Sequence, residues 1–379
     1  MKDILSDAEH ASDKNNTVSD AVLPEPALPG AQSARDMNKE SGSGCNRQLA
    51  PDGNKRILSG MRPTGRLHLG HLHGALENWR ELQNGYECFY FIADWHALTT
   101  DYADPSRINE SIYDMLADWI ACGIDPNKST IFVQSHIKEH AELALLLGMI
   151  TPLSWLERVP TYKEMKEQLQ DKDLATYGFL GYPVLQTADI IVYKADYVPV
   201  GEDQVPHLEL AREIVRRFNY LYGETFPEPN PLLTKIPKIL GTDGRKMSKS
   251  YGNAIYLSDT PDEIRSKIMR MYTDPRRLRR ADPGNPDDCG IFYLHKFHSQ
   301  EEDIAMVNRE CSTAGIGCVD CKKLLLSSLI GELAPIREKR EKLMKRKDEL
   351  EDIIRVGDKR ARDVAEETLG EVRRKLGIA

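Results

Sequence analysis

The chain has 379 residues, 40% of them hydrophobic and 29% charged, a balance that suits a soluble globular protein of about two domains. No apolar run approaches the roughly 18 residues of a membrane span, and the opening "MKDILSDAEHASDKNN" has neither the basic flank nor the apolar centre of a signal peptide, so a cytoplasmic protein without a membrane partner is expected. A net charge of -8 and a pI of about 5.8 exclude a global basic field: an RNA partner would have to meet a local basic patch, and no DNA partner is expected.

Residues 1–54 contain no aromatic side chain and are rich in Ser, Asn, Asp, Pro and Gly, which reads as a disordered N-terminal extension. "KRILSGM" then reads as a strand that runs through a Pro/Gly turn into the helical pattern of "LGHLHGALENWREL". "CFYFIADWHALT" is the next expected strand, and "DPSRINESIYDMLADWIACGID" a helix with Asp104, Pro105 and Ser106 at its start and Gly123 at its end. "STIFVQS" supplies a third strand. Strands alternating with helices predict an α/β, doubly wound, Rossmann-like parallel sheet over residues 55–257. Its pattern is interrupted at about 137–180 by a helical insertion ("EHAELALLLGMIT", "TYKEMKEQLQ") and is expected to return as sheet in "DIIVYKADYVPVG". Residues 258–379 read as an all-α C-terminal domain.

"PTGRLHLGH" puts His68 and His71 on either side of Gly70 where strand turns into helix. A helix N-terminus attracts anions, Gly65 and Gly70 permit close approach to the backbone, and the imidazoles can stabilise charge developing on a phosphate. "GRKMSKS" places Lys246 and Lys249 about one helical turn apart, with Gly241 and Gly244 as hinges for a mobile loop that closes on a triphosphate. The two stretches together resemble the paired signatures of class I aminoacyl-tRNA synthetases. That resemblance implies attack of an amino-acid carboxylate on the α-phosphate of ATP, with Mg²⁺, and with the lysine loop holding the outer phosphates.

"FIADWHALTTDYADP", "GYPVLQTADIIVYKADYVPVGEDQVPHLELAREIVRRFN" and "PIREKREKL" are similar to tryptophanyl-tRNA synthetases, over about residues 56–379. By this resemblance L-tryptophan is bound by Asp189, as acceptor of the indole N–H, by Tyr182 and Gln204 at the ammonium group, and by His96, Gln186, Val198 and Val200. An indole N–H is donor only, so a buried carboxylate at Asp189 is chemically apt. The same resemblance assigns ATP to Arg62, Thr64, Gly70 and His71, to Gly201, Asp203 and Gln204, and to Lys246, Met247, Ser248 and Lys249. Arg62 and Gln186 stand where the best-known bacterial form has a glutamine and a methionine. Tyrosyl-tRNA synthetases share the Tyr, Gln and Asp pattern and are the alternative; a regulatory paralogue that binds RNA without catalysis is the other. Pro206 is placed for the first turn of its helix, on which Arg216 and Arg217 read as solvated. The family is homodimeric, and the insertion with Trp155 and Leu156 is the expected interface.

Cys289, Cys311, Cys318 and Cys321 follow C-x21-C-x6-C-x2-C, a thiolate set that suits structural Zn²⁺ or a [4Fe–4S] cluster. Together with the preceding "TDPRRLRRADPGNPDDC" they resemble the iron–sulfur subgroup of tryptophanyl-tRNA synthetases, whose best-known first gap is one residue longer. Arg276, Arg277, Arg279 and Arg280 form a local basic patch suited to the tRNA(Trp) backbone.

Overall fold

The apolar run "RILSGM" forms β1 (Arg56–Met61), and its partner "ECFYFI" forms β2 (Glu87–Ile92). In the computed structural model, which describes residues 55–159, 176–233 and 238–379, these two strands start a five-stranded parallel sheet. The expected extension at 1–54 and "TYKEMKEQLQ" lie outside the described residues. With β3 (Ser129–Val133), β4 (Tyr197–Val200) and β5 (Asn230–Leu233), the strand order is β3-β2-β1-β4-β5. Register pairs Met61 with Ile92, Ile92 with Val133, and Ile57 with Tyr197. The order reverses direction between β1 and β4, and ligands of open α/β sheets bind at such a switch point, outside the carboxyl ends of the strands.

Two sequence readings are corrected here. β2 stops at Ile92, and Asp94–Asp101 is helix α2, not strand. Residues 189–192 finish a helix, Tyr177–Val192, so the returning strand covers only Tyr197–Val200. The cause is the same in both: a short, fully buried apolar run looks alike in strand and helix, and Ile190, Ile191 and Val192 are all buried.

Helix α1 carries the first motif. It begins at Leu69–His71, passes through a π-helical turn at Leu72–Leu76 and continues as Glu77–Leu82. Trp79 on this helix stacks on Tyr90 of β2 with ring centroids 4.5 Å apart, which fixes α1 against the sheet. Helix α3 (Ile108–Ala121) buries Trp119 edge-on against Trp79, its first turn preceded by Asp104 accepting the Ser106 N–H at 3.2 Å and its end followed by Gly123 at φ +101. The insertion contributes α4 (Glu139–Gly148) and α5 (Leu153–Glu157), followed by α6 (Tyr177–Val192) and α7 (Val205–Tyr222), which has Pro206 in its first turn as expected.

Beyond residue 257 the described elements are helices: α8 (Pro261–Arg270), α9 (Gly290–His298), α10 (Glu301–Ser312), α11 (Cys318–Met344) and α12 (Lys347–Leu376), joined in places by a short 3₁₀ turn (Pro286–Asp288). They share one core with the sheet, since Leu333, Leu343 and Ile354 belong to the same buried cluster as Ile57 and Trp79. α12 closes the edge at β3. Asp358 accepts the Val133 N–H at 3.2 Å, and a Cβ on Gly357 would lie 1.7 Å from the Ile131 carbonyl oxygen, so only glycine lets this helix lie against the strand.

Candidate active site

At the switch point a cavity of about 460 Å³ opens between the ends of β1 and β4. Arg62, His96, Tyr182, Gln186, Asp189, Val198, Val200, Gly201 and Gln204, all singled out from sequence, line it. Val198 and Val200 point the apolar side of β4 into the space, and Phe91, Phe179 and Ile190 complete an aromatic-sized slot.

Asp189 is fully buried at the foot of the slot. Its carboxylate receives His96 Nε2 at 2.8 Å, His140 Nδ1 at 2.6 Å and Gln134 Nε2 at 2.9 Å from each oxygen. Burial alone would raise its pKa, but the His140 and His96 hydrogen bonds outweigh it and hold the group at about 2. Two oxygens offer about four acceptor sites, and three protein donors occupy them, with the Gln134 amide shared between both. His140 passes its other nitrogen to the Tyr193 hydroxyl at 2.7 Å, which locks the ring behind the pocket.

A second chain orders the rim. Gln204 Oε1 can only accept, so His207 donates to it from Nδ1 at 3.0 Å, and His207 Nε2 then accepts the Tyr182 hydroxyl proton at 2.7 Å. Burial lowers the His207 pKa, keeping it neutral for this double role. The Tyr182 and Gln204 oxygens are thereby left as acceptors, the polarity an ammonium group needs. Sequence reading missed His207, Gln134 and His140, because none stands in a motif; each acts through another residue.

The first motif differs from its expected form. Its leading N–H groups do not stand open: His68 Nδ1 accepts the Gly70 N–H at 3.1 Å and His71 Nδ1 accepts the His68 N–H at 3.2 Å, a reciprocal cap made of imidazoles. Accepting at Nδ1 puts each ring's proton on Nε2, so both are neutral N–H donors. Burial, then Lys249 and Lys246, lowers the His68 pKa to about 4, and burial, His68 and Lys249 push His71 well below its usual value.

The second motif meets the first directly. Lys249 Nζ donates to the Gly65 carbonyl at 2.8 Å and to the Thr64 carbonyl at 3.2 Å. Lys246 is exposed and pairs as an isolated bridge with Leu240, so the two lysines do not share a helical turn. Met247 turns its side chain into the core and its N–H to the Ile239 carbonyl at 2.8 Å, which anchors the loop. Asn253, unnoticed in the sequence, pins the loop by accepting the Ser248 N–H at 2.8 Å and donating to Asp243 at 2.7 Å. A Cβ on Gly241 would sit 2.3 Å from Asn253, so that glycine serves close packing. Asp203 is exposed at the mouth, beside Gln204.

Cys289 and Cys321 are buried, Cys311 and Cys318 partly so. Burial first, then the neighbouring Cys289, Cys311 and Cys318, push the Cys321 thiol up to about 12, so the four thiols converge. The arginines are mostly structural: Arg277 donates to the Ile316 carbonyl at 2.7 Å, Arg280 to those of Ala314 and Gly315 at 2.6 and 2.9 Å, and Arg276 pairs with Asp274 and Asp288. Only the Arg279 backbone is tied, to Asp282. On α7, Arg216 pairs with Glu228 and Arg217 lies over the Trp155 ring.

Residues 51–334 match the family model described as tRNA synthetases class I (W and Y). The tryptophan–tRNA ligase of Thermotoga maritima is 60% identical over 325 residues, covering 85% of this chain and 99% of the relative, and that of Aquifex aeolicus is 45% identical over 393 residues, covering 85% and 100%. The tryptophanyl-tRNA synthetase of Campylobacter jejuni, solved with ADP and tryptophan, superposes with a TM-score of 0.79 at 32% identity over 85% of this chain and 99% of that one. Sharing nearly their whole length and holding both nucleotide motifs in contact at the sheet's switch point, this chain belongs to the class I tryptophanyl-tRNA synthetases, and its activity is that of a tryptophan–tRNA ligase.

Proposed function

We propose that the slot ending at Asp189 holds the L-tryptophan side chain and that the space beneath the Lys249 contact holds ATP. The observation that carries this reading is Lys249 reaching Thr64 and Gly65, which joins the two motifs two residues beyond Arg62 of the cavity wall. When the bifurcated Gln134 bond settles on one oxygen, Asp189 has an acceptor site for the indole N–H. Tyr182 and Gln204 receive the ammonium group, and His96 and Gln186 border the ring. Arg62, Thr64, Gly70, Gly201, Asp203 and Ser248 are placed around the nucleotide. The neutral Nε2–H groups of His68 and His71 and the ammonium groups of Lys246 and Lys249 stabilise charge on the phosphates as the tryptophan carboxylate attacks and pyrophosphate leaves. Asp189, the one carboxylate among the described residues lining the cavity, is already occupied, so a bound Mg²⁺ would be held mainly by phosphate oxygens and water. The Lys249→Ala variant should lose about 10²–10³-fold in tryptophan-dependent pyrophosphate exchange while tryptophan binding by calorimetry stays largely intact. Equal losses in both would overturn this role.

The division into 55–257 for catalysis and 258–379 for anticodon binding is retained as a functional one, across a shared core. The resemblance of Cys289, Cys311, Cys318 and Cys321 to the iron–sulfur subgroup favours a [4Fe–4S] cluster there, with Zn²⁺ as the alternative. An anaerobic preparation with near-stoichiometric iron and sulfide supports it, and a colourless zinc-loaded one contradicts it. Arg279, beside the exposed Leu278, is the arginine of the patch best placed for tRNA(Trp), with Arg276, Arg277 and Arg280 shaping its loop. Exposed Leu145, Met149 and Leu153 on the insertion and Tyr177 beside it support a homodimer through that face. Among the described residues no helix is long and apolar enough to cross a membrane.

A further inference from the structure

Outside the ligase site, His73, His298 and Glu332 come together from α1, α9 and α11, one donor atom of each within 4.8 Å of the others. Both imidazoles are buried, with side-chain exposures of 6% and 0%. Each has one nitrogen on a carboxylate: His73 Nδ1 on Glu77 at 3.0 Å, and His298 Nδ1 on Glu332 at 2.6 Å. Each has its other nitrogen without a partner, since Nε2 of His73 and Nε2 of His298 are buried and make no hydrogen bond among the described residues. The rings lie edge to face, 4.9 Å between centroids, with Phe297 alongside His73.

A buried imidazole nitrogen without a partner is unfavourable, and two of them occur on these adjoining rings. On His73 the Glu77 carboxylate holding Nδ1–H leaves the lone pair on Nε2, which is how a histidine ligand is prepared for a metal ion, whereas Glu332 already sits at His298 Nδ1, so an ion held by those two takes the place of the proton between them. We propose that His73, His298 and Glu332 form a binding site for a divalent cation of the zinc class, with Glu77 orienting His73. Two nitrogens and one carboxylate suit Zn²⁺, Co²⁺ or Ni²⁺ and suit Mg²⁺ or Ca²⁺ poorly. Tetrahedral zinc holds such donors roughly 3.4 Å apart, so a closure on the order of 1 Å completes the site.

The placement gives the ion a structural consequence. His73 lies in the π-helical turn two residues after His71, a kind of irregularity that recurs at functional sites. His298 ends the helix that follows Cys289, and Glu332 lies on the helix that begins with Cys318 and Cys321. A bound ion therefore staples the nucleotide-binding helix to both helices that emerge from the cysteine cluster.

The test uses the full chain, purified with its cysteine site filled, dialysed against Zn²⁺ and separately titrated with Co²⁺. One zinc equivalent beyond the metal of the cysteine site is expected, and Co²⁺ should give ligand-field bands without thiolate-to-cobalt charge transfer. His298→Gln and Glu332→Gln should lose that equivalent while iron, sulfide and visible absorption stay unchanged, and Glu77→Gln should weaken it about 10–100-fold. Zn²⁺ should raise the melting temperature of the wild type and not of Glu332→Gln, whose partly exposed position makes it the variant to rely on if His298→Gln does not fold. The proposal is overturned if no equivalent binds beyond the cysteine site, or if His298→Gln and Glu332→Gln both retain it.

Discussion

The charge state of single side chains decides how this site meets a triphosphate. Burial lowers the Lys249 pKa to about 8, Asp118 opposing the shift and Arg62 adding to it, so in the free enzyme the ammonium form fades as pH rises through that value. The rate constant for free enzyme and ATP, kcat/KM, should therefore fall above about pH 8, and Lys249→Arg should remove that limb because a guanidinium keeps its charge. A profile for the wild type that stays flat to about pH 10 would contradict the assignment of that limb to Lys249. Two other groups set the acid side. Asp189, held at about 2 against an ordinary 3.8, contributes stability that is present above 3.8 and is lost as pH falls toward 2. His68, lowered to about 4 by burial and then the two lysines, contributes in the same direction: stability falls as pH drops from 6.5 toward 4, where the unfolded chain binds the proton first. At this scale the sequence is legible where a side chain carries chemistry in a motif, as with His68, Asp189 and Lys249. It is silent on Gln134, His140 and His207, whose work is to aim those groups across separations such as the 49 residues between His140 and Asp189.

Among the elements, the loop at 241–253 shows why a motif is more ordered than its composition implies. Three glycines and several small polar residues read as mobile, yet Met247 is buried and Asn253 bonds to Ser248, to Asp243 and, at 3.2 Å, to the Lys246 carbonyl. The loop is held in a shape that delivers Lys249 to Thr64. Asn253→Ala should lower the melting temperature by about 2–4 °C, because it strips partners from buried polar groups, and should lower kcat of pyrophosphate exchange more than it changes tryptophan affinity. Limited proteolysis at Lys246 and Lys249 should accelerate in parallel; unchanged cleavage with unchanged kcat would show that Asn253 does not position the loop. The strands β1 and β3 are readable because Pro, Gly and Ser bound them. The end of β2 and the helix through Val192 are not, because burial on all sides erases the periodicity that separates strand from helix.

For the whole molecule, the linear division into an α/β part and a helical part holds in the order of elements but not in packing. The last helix returns across more than 200 residues to cover β3, with Gly357 against Ile131 and Asp358 bonded to Val133 and His136. No local pattern announces such a contact, since it depends on where the chain leads the helix. It gives the sheet one covered edge and couples the cysteine-bearing region mechanically to the strands that build the ligase site. The reading of the slot as specific for tryptophan rests on this whole frame, because tyrosine also carries a hydrogen-bond donor and the size and depth of the slot must separate the two. The most direct test is ATP–pyrophosphate exchange by the purified chain with tryptophan, with tyrosine and with neither. Exchange with tryptophan alone is predicted, and exchange supported by tyrosine, or by no amino acid despite folded protein, would contradict it.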